Sequence, residues 1–130
     1  MQKFLAEPDL LDMKKIPGIG EKTEIAITKG TSDLTFQINT GYALFGVFMS
    51  LKGKDADCVM HCNRFYNWLH TMGVKNKAHT IVRAIAERAN LSFTGLYDDA
   101  AFGKNSLANK IEHDAENVKH TGKAGKVGNE

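Results

Sequence analysis

Residues 73–89 read Gly73-Val74-Lys75-Asn76-Lys77-Ala78-His79-Thr80-Ile81-Val82-Arg83-Ala84-Ile85-Ala86-Glu87-Arg88-Ala89, and this stretch decides the fold. Ala78, Ile81, Val82, Ile85, Ala86 and Ala89 recur three and four residues apart, the spacing that lines them along one face of an α-helix against a core. Upstream, Gly73 closes a second helical pattern over 57–72, in which Val59, Cys62, Phe65, Tyr66 and Leu69 keep the same period. Before that, Tyr42-Ala43-Leu44-Phe45-Gly46-Val47-Phe48-Met49-Ser50-Leu51 is apolar almost all round, as expected of a helix buried on more than one side. Between Thr31 and Thr40, Leu34, Phe36 and Ile38 alternate with polar residues, yet no second run of that kind lies nearby to pair with it, so 31–40 reads as an irregular insertion. The fold class expected is all-α, a compact helical bundle.

The chain has 130 residues, enough for one core. With 42% hydrophobic and 25% charged residues it belongs with globular proteins, not with disordered or collagen-like ones. No apolar run reaches the roughly 18 residues that cross a bilayer, and Met1-Gln2-Lys3-Phe4 has no secretory apolar region, so an intracellular protein without membrane insertion is expected. Cys58 and Cys62 stand one helical turn apart, which suits reduced thiols rather than a disulfide framework. Beyond Phe93 the hydrophobic density falls and Gly and Asn become frequent. This sets the expected organisation: a helical domain over 1–93 and a polar tail over 94–130, weakly helical around Leu107, Ile111 and Val118 and otherwise disordered. Removing residues beyond about 95 would then leave the melting temperature nearly unchanged.

Net charge is +2 over the whole chain, too little to announce a nucleic-acid partner, so the positions of the lysines matter more. The most informative segment is Ile16-Pro17-Gly18-Ile19-Gly20, between a short turn capped by Asp9 or Asp12 and a helix from Glu21 to about Lys29. Gly18 and Gly20 permit a tight turn and leave no Cβ between the backbone N–H groups and an approaching anion, while Ile19 plugs the core. Those N–H groups open the helix at Glu21, where unpaired donors and the helix dipole favour phosphate. This is the logic of a helix-hairpin-helix, which grips the sugar-phosphate backbone and carries no sequence information. Lys14, Lys15 and Lys22 flank it. A second loop, Gly73-Val74-Lys75-Asn76-Lys77, leads into the strongly periodic helix with His79 and Arg83 on or near its first turns. Two such loops on one face can hold both strands of a duplex. The candidate DNA-binding residues are therefore Gly18, Ile19, Gly20, Glu21, Lys22, Lys75, Asn76, Lys77, His79 and Arg83. Cys58, His61 and Cys62 lack a fourth ligand at zinc spacing, and no catalytic arrangement or phosphate-cradling motif of an enzyme is present. No metal, cofactor or catalysis is expected.

Several pieces of the chain stand in the order found in one known family. Phe4-Leu5-Ala6-Glu7-Pro8, Gly18-Ile19-Gly20-Glu21, Tyr42 through Phe45-Gly46-Val47-Phe48 to Leu51-Lys52, Phe65-Tyr66-Asn67-Trp68-Leu69, and Gly73 with Lys77 run across residues 4–93. The chain resembles the barrier-to-autointegration factor family, small all-helical dimers that bridge double-stranded DNA. The resemblance implies backbone contacts to DNA from Gly18, Ile19 and Gly20, with a side-chain phosphate contact from Lys77. It implies a homodimer through the helix containing Gly46, with Phe45 and Phe48 beside it, in chromatin or nuclear-envelope organisation. LEM-domain proteins and lamins are the implied partners, and nucleus and cytoplasm the implied location. The sequence departs from the family in residues 31–40, in roughly Cys58 to Arg64, and in everything after Phe93. It also has Thr80 where the family has an arginine, and lacks the family's N-terminal Ser/Thr phosphorylation sites. Two other readings are a helical protein–protein module whose hairpin is structural only, and a fragment of a DNA-processing enzyme, which would need a carboxylate cleft and a longer chain.

Overall fold

The computed structural model describes residues 2–105, with side chains through Gly103. Among these residues there are no strands and six α-helices: α1 (Gln2–Leu5), α2 (Glu21–Gly30), α3 (Gly41–Ser50), α4 (Cys58–Thr71), α5 (Ala78–Ser92) and α6 (Asp99–Asn105). A single 3-10 turn at Met13–Lys15 precedes α2. None of the described helices is long and apolar enough to cross a membrane.

The 78–89 periodicity does what its spacing dictates. Ala78, Ile81, Val82, Ile85, Ala86 and Ala89 are all buried, and α5 packs against α1, α3 and α4. α4 packs along it through Cys62, Phe65, Tyr66 and Leu69. Between the two, α4 ends in a Schellman closure: Gly73 takes φ +89°, its N–H donates to the His70 carbonyl, and the Val74 N–H donates to that of Leu69. Val74 then turns into the core, which fixes the direction of the connection to α5. At the other end, Arg88 donates to the Phe4 carbonyl at 2.9 Å and lies over the Phe4 ring, tying α1 to α5.

α3 is covered on more than one side: Leu44 and Phe48 enter the core and Ala43, Phe45, Val47 and Met49 pack partly against it, while Gly46 is exposed and Tyr42 stays 50% exposed. One expectation changes: the domain edge drawn after Phe93 does not coincide with the edge of the core. Tyr97 is nearly buried and Phe102 of α6 is completely so, with the two rings edge to face. Asn90 holds the approach to α6 by accepting from the N–H groups of Gly95 and Tyr97. Burial of a phenylalanine contributes roughly 1.5–3 kcal/mol, so α6 belongs to the folded unit. Within the 31–40 insertion Ile38 is also a core residue, held by its N–H donating to the buried Thr31 hydroxyl oxygen. The helix and disordered tail expected over 106–130 lie outside the described residues.

Candidate nucleic-acid interface

Pro17 and Gly18 occupy the centre of a tight turn. Gly18 has φ +96°, and the Ile19 N–H donates to the Ile16 carbonyl at 3.0 Å, the bond of a type II turn with proline and glycine in its preferred places. Ile16 and Ile19, on either side, are buried. A Cβ at Gly18 would stand 2.9 Å from Ile81 Cγ1, 3.3 Å from Thr80 Cγ2 and 3.4 Å from the Lys77 carbonyl oxygen. The absent side chain thus lets the hairpin sit directly on the first turn of α5. That contact brings together the two loops that the sequence places 53 residues apart at Gly20 and Gly73.

Between them lies a groove of about 450 Å³, lined by Lys22, Thr23 and Ala26 of α2 and by Gly73, Val74, Lys75, Asn76 and Lys77 of the α4–α5 connection. Lys22, Lys75 and Lys77 are exposed and take part in none of the ion pairs among the described residues. Both helices that begin here, α2 and α5, start without a side-chain cap. The 3-10 turn, α3, α4 and α6 start with Asp12, Thr40, Asp57 and Asp98, each accepting from backbone N–H groups. Gly20, the residue before α2, is exposed and has nothing within 4 Å of where a Cβ would lie. The first N–H groups of a helix carry partial positive charge and need acceptors, so three lysines and two such helix starts give the groove one sign. Glu21 and Glu24, in the first turn of α2, are the counterweight.

Not every predicted residue arrives at this groove. His79 and Arg83 point to α6 instead. The His79 ring stacks on Phe102 with centroids 5.0 Å apart, and Arg83 Nε lies 2.9 Å from Glu87 Oε2 and 3.0 Å from Asp99 Oδ1. Those two carboxylates hold the guanidinium charged and raise its pKa, so Arg83 is already neutralised within the chain. The phase of α5 explains the divergence. Lys77, Thr80 and Ile81 face the hairpin, whereas His79 and Arg83, four residues apart, share the stripe under α6. Lys15, one of the flanking lysines, is paired with Glu7 at 3.2 Å. Conversely, Thr23 and Ala26 line the groove and were not anticipated, although one and four residues beyond Lys22 place them on neighbouring positions of the same helix.

On the opposite count, Phe48 is not a surface residue. Its ring packs within the chain, stacked on His61 at 4.0 Å and edge to face with Phe65 at 5.3 Å, which removes it from any interface. Phe45 is half-buried, and a Cβ at Gly46 meets nothing within 4 Å, so close packing among the described residues is not why glycine stands there. Tyr42, Phe45, Gly46 and Met49 form one stripe of α3 that the described residues leave partly uncovered. Among the described residues no group of three or more His, Cys, Asp or Glu is placed to hold a metal ion. Cys58 Sγ accepts from the Asp98 N–H, and Cys62 is buried in the apolar core, which pushes its thiol pKa far up and keeps it protonated.

Neither a model of any protein family, nor a curated protein, nor a solved structure matches this chain.

Proposed function

We propose that the chain binds double-stranded DNA without sequence preference through the lysine groove and, as a symmetric dimer, brings two duplexes together, in chromatin or nuclear-envelope organisation. The observation that carries this reading is the convergence of Lys22, Lys75 and Lys77 with the uncapped starts of α2 and α5 on one groove. Backbone N–H groups and lysines recognise phosphate oxygens, which every duplex presents alike, so the contact positions without specifying. In this reading Met13–Lys15, the Pro17-Gly18 turn and α2 act as a helix-hairpin-helix whose first helix is shortened to one turn. Glu21 and Glu24 temper its attraction. Dimerisation uses the Tyr42, Phe45, Gly46 and Met49 stripe of α3, where glycine lets a partner helix approach closely. LEM-domain proteins and lamins, and a nuclear and cytoplasmic location, follow from the resemblance to the barrier-to-autointegration factor family. The role is binding, and no catalytic step belongs to it.

Titration of random-sequence and defined duplexes tests the groove. Lys77→Glu should weaken binding to all sequences by a similar factor; unchanged affinity would place the site elsewhere. A second reading, a helical protein–protein module, is favoured by the uncovered α3 stripe, and it is the reading left standing if no duplex binds.

A further inference from the structure

We propose that His61 is an acid-sensitive latch that fastens the C-terminal end of α3 to α4. His61 is the fourth residue of α4 and is 1% exposed. Its Nε2 stands 2.7 Å from the Phe48 carbonyl oxygen, an acceptor only, so Nε2 carries the proton and donates. The Phe48 carbonyl is among the last four of α3, the ones a helix cannot satisfy internally, and it also accepts from the Leu51 N–H. The imidazole face stacks on the Phe48 ring, so one side chain makes both the polar and the apolar link between the two helices. The other ring nitrogen, Nδ1, is buried and has no hydrogen-bond partner among the described residues.

The neutral ring fits this arrangement best. The charged ring would keep its Nε2–H bond to Phe48, but its second proton would go to Nδ1, which has no acceptor among the described residues, and would bury a charge. The charged groups that bear on His61 are Lys52, in the loop after α3, and Arg64 on α4, both cations. Each is itself engaged at the same end of α3: Arg64 donates to the Leu51 carbonyl at 3.0 Å and Lys52 to the Ala56 carbonyl at 2.6 Å. An imidazolium would therefore be a third positive charge in this corner. Burial lowers the His61 pKa below its ordinary value and the two cations add to it, outweighing the hydrogen bond to Phe48, which acts the other way. The sign follows directly. Released or unfolded His61 begins to bind protons near pH 6.5 and the latched ring only at lower pH, so the latch is complete above about pH 6.5 and weakens as the pH falls below it toward the lowered pKa of the latched ring. The inference is independent of the lysine groove, since none of its residues lines it.

Amide hydrogen exchange of the full chain, with the imidazole followed by NMR, tests it. Protection factors over residues 44–51 should fall by up to about tenfold between pH 7.5 and pH 5.5, the factor set by a released imidazole of pKa about 6.5. In His61→Gln, whose amide can still donate to Phe48 but does not titrate, they should hold constant across that range. Equal pH dependence in the two proteins overturns the proposal. So does an imidazole titrating at or above pH 6.5 in the wild-type chain, a measurement that stands even if the variant does not fold.

Discussion

Gly18 and Gly20 stand two residues apart and serve different ends, which substitutions can separate. At Gly18 both the positive φ and the 2.9 Å approach to Ile81 exclude a side chain. Gly18→Ala should therefore cost about 1–2 kcal/mol or more, read as a lower urea midpoint. At Gly20 the space is open and the backbone is already extended, the conformation of a good helix cap. Gly20→Asp supplies the missing cap, so it should raise stability by up to about 1 kcal/mol. Its carboxylate also occupies the N–H groups offered to phosphate, so duplex affinity should fall in the same variant. Stability and binding moving in opposite directions at one residue is the signature of a helix start kept bare for a ligand; a parallel change in both would show that Gly20 is only structural.

Helix α6 is the element whose role the structure changes most. Phe102→Ala empties a fully buried site against His79 and Tyr97, and should cost about 3–5 kcal/mol. For a domain of about 100 residues each kcal/mol moves the melting temperature by roughly 4–8 °C, so calorimetry should show a drop of more than about 10 °C. An unchanged melting temperature would return α6 to the status of a tail. The sequence shows α4 and α5 plainly because their apolar residues repeat with the period of a helix. α6 has a single deep anchor, Phe102, among Asp, Ala and Gly, and one anchor has no period. Ile38 is hidden differently: it belongs to the alternating run Leu34, Phe36, Ile38, yet of the three only Ile38 is buried, with its N–H bonded to the Thr31 hydroxyl, and the alternation does not mark which one. The groove divides likewise. The hairpin and the 73–77 connection are each readable as anion-facing loops, but their meeting depends on Gly18 resting on Thr80 and Ile81, a tertiary contact. The diversion of His79 and Arg83 depends on α6, and so escaped with it.

For the molecule as a whole, the groove lysines stand at the starts of α2 and α5, and the part-exposed Tyr42, Phe45, Gly46 and Met49 stripe stands on α3. In the proposed two-fold pairing through α3, each subunit would contribute one groove and so one duplex. Gly46→Glu tests the pairing cleanly, because the position is exposed and the change gains about half a kcal/mol of helix propensity. The wild-type chain should sediment as a dimer at micromolar concentration without DNA, and Gly46→Glu as a folded monomer; identical sedimentation of the two would remove the α3 interface. The central claim, that the lysine groove holds a duplex by its phosphates, is tested most directly by the salt dependence of binding to a random-sequence duplex. Counterion release gives log K against log salt a slope of about −0.9 for each phosphate neutralised. Replacing Lys22, Lys75 and Lys77 together by glutamine should make that slope shallower by about 0.9 for each lysine and weaken binding to every sequence alike. A wild-type chain whose affinity does not respond to salt, or a triple variant that keeps the wild-type slope, would contradict the account.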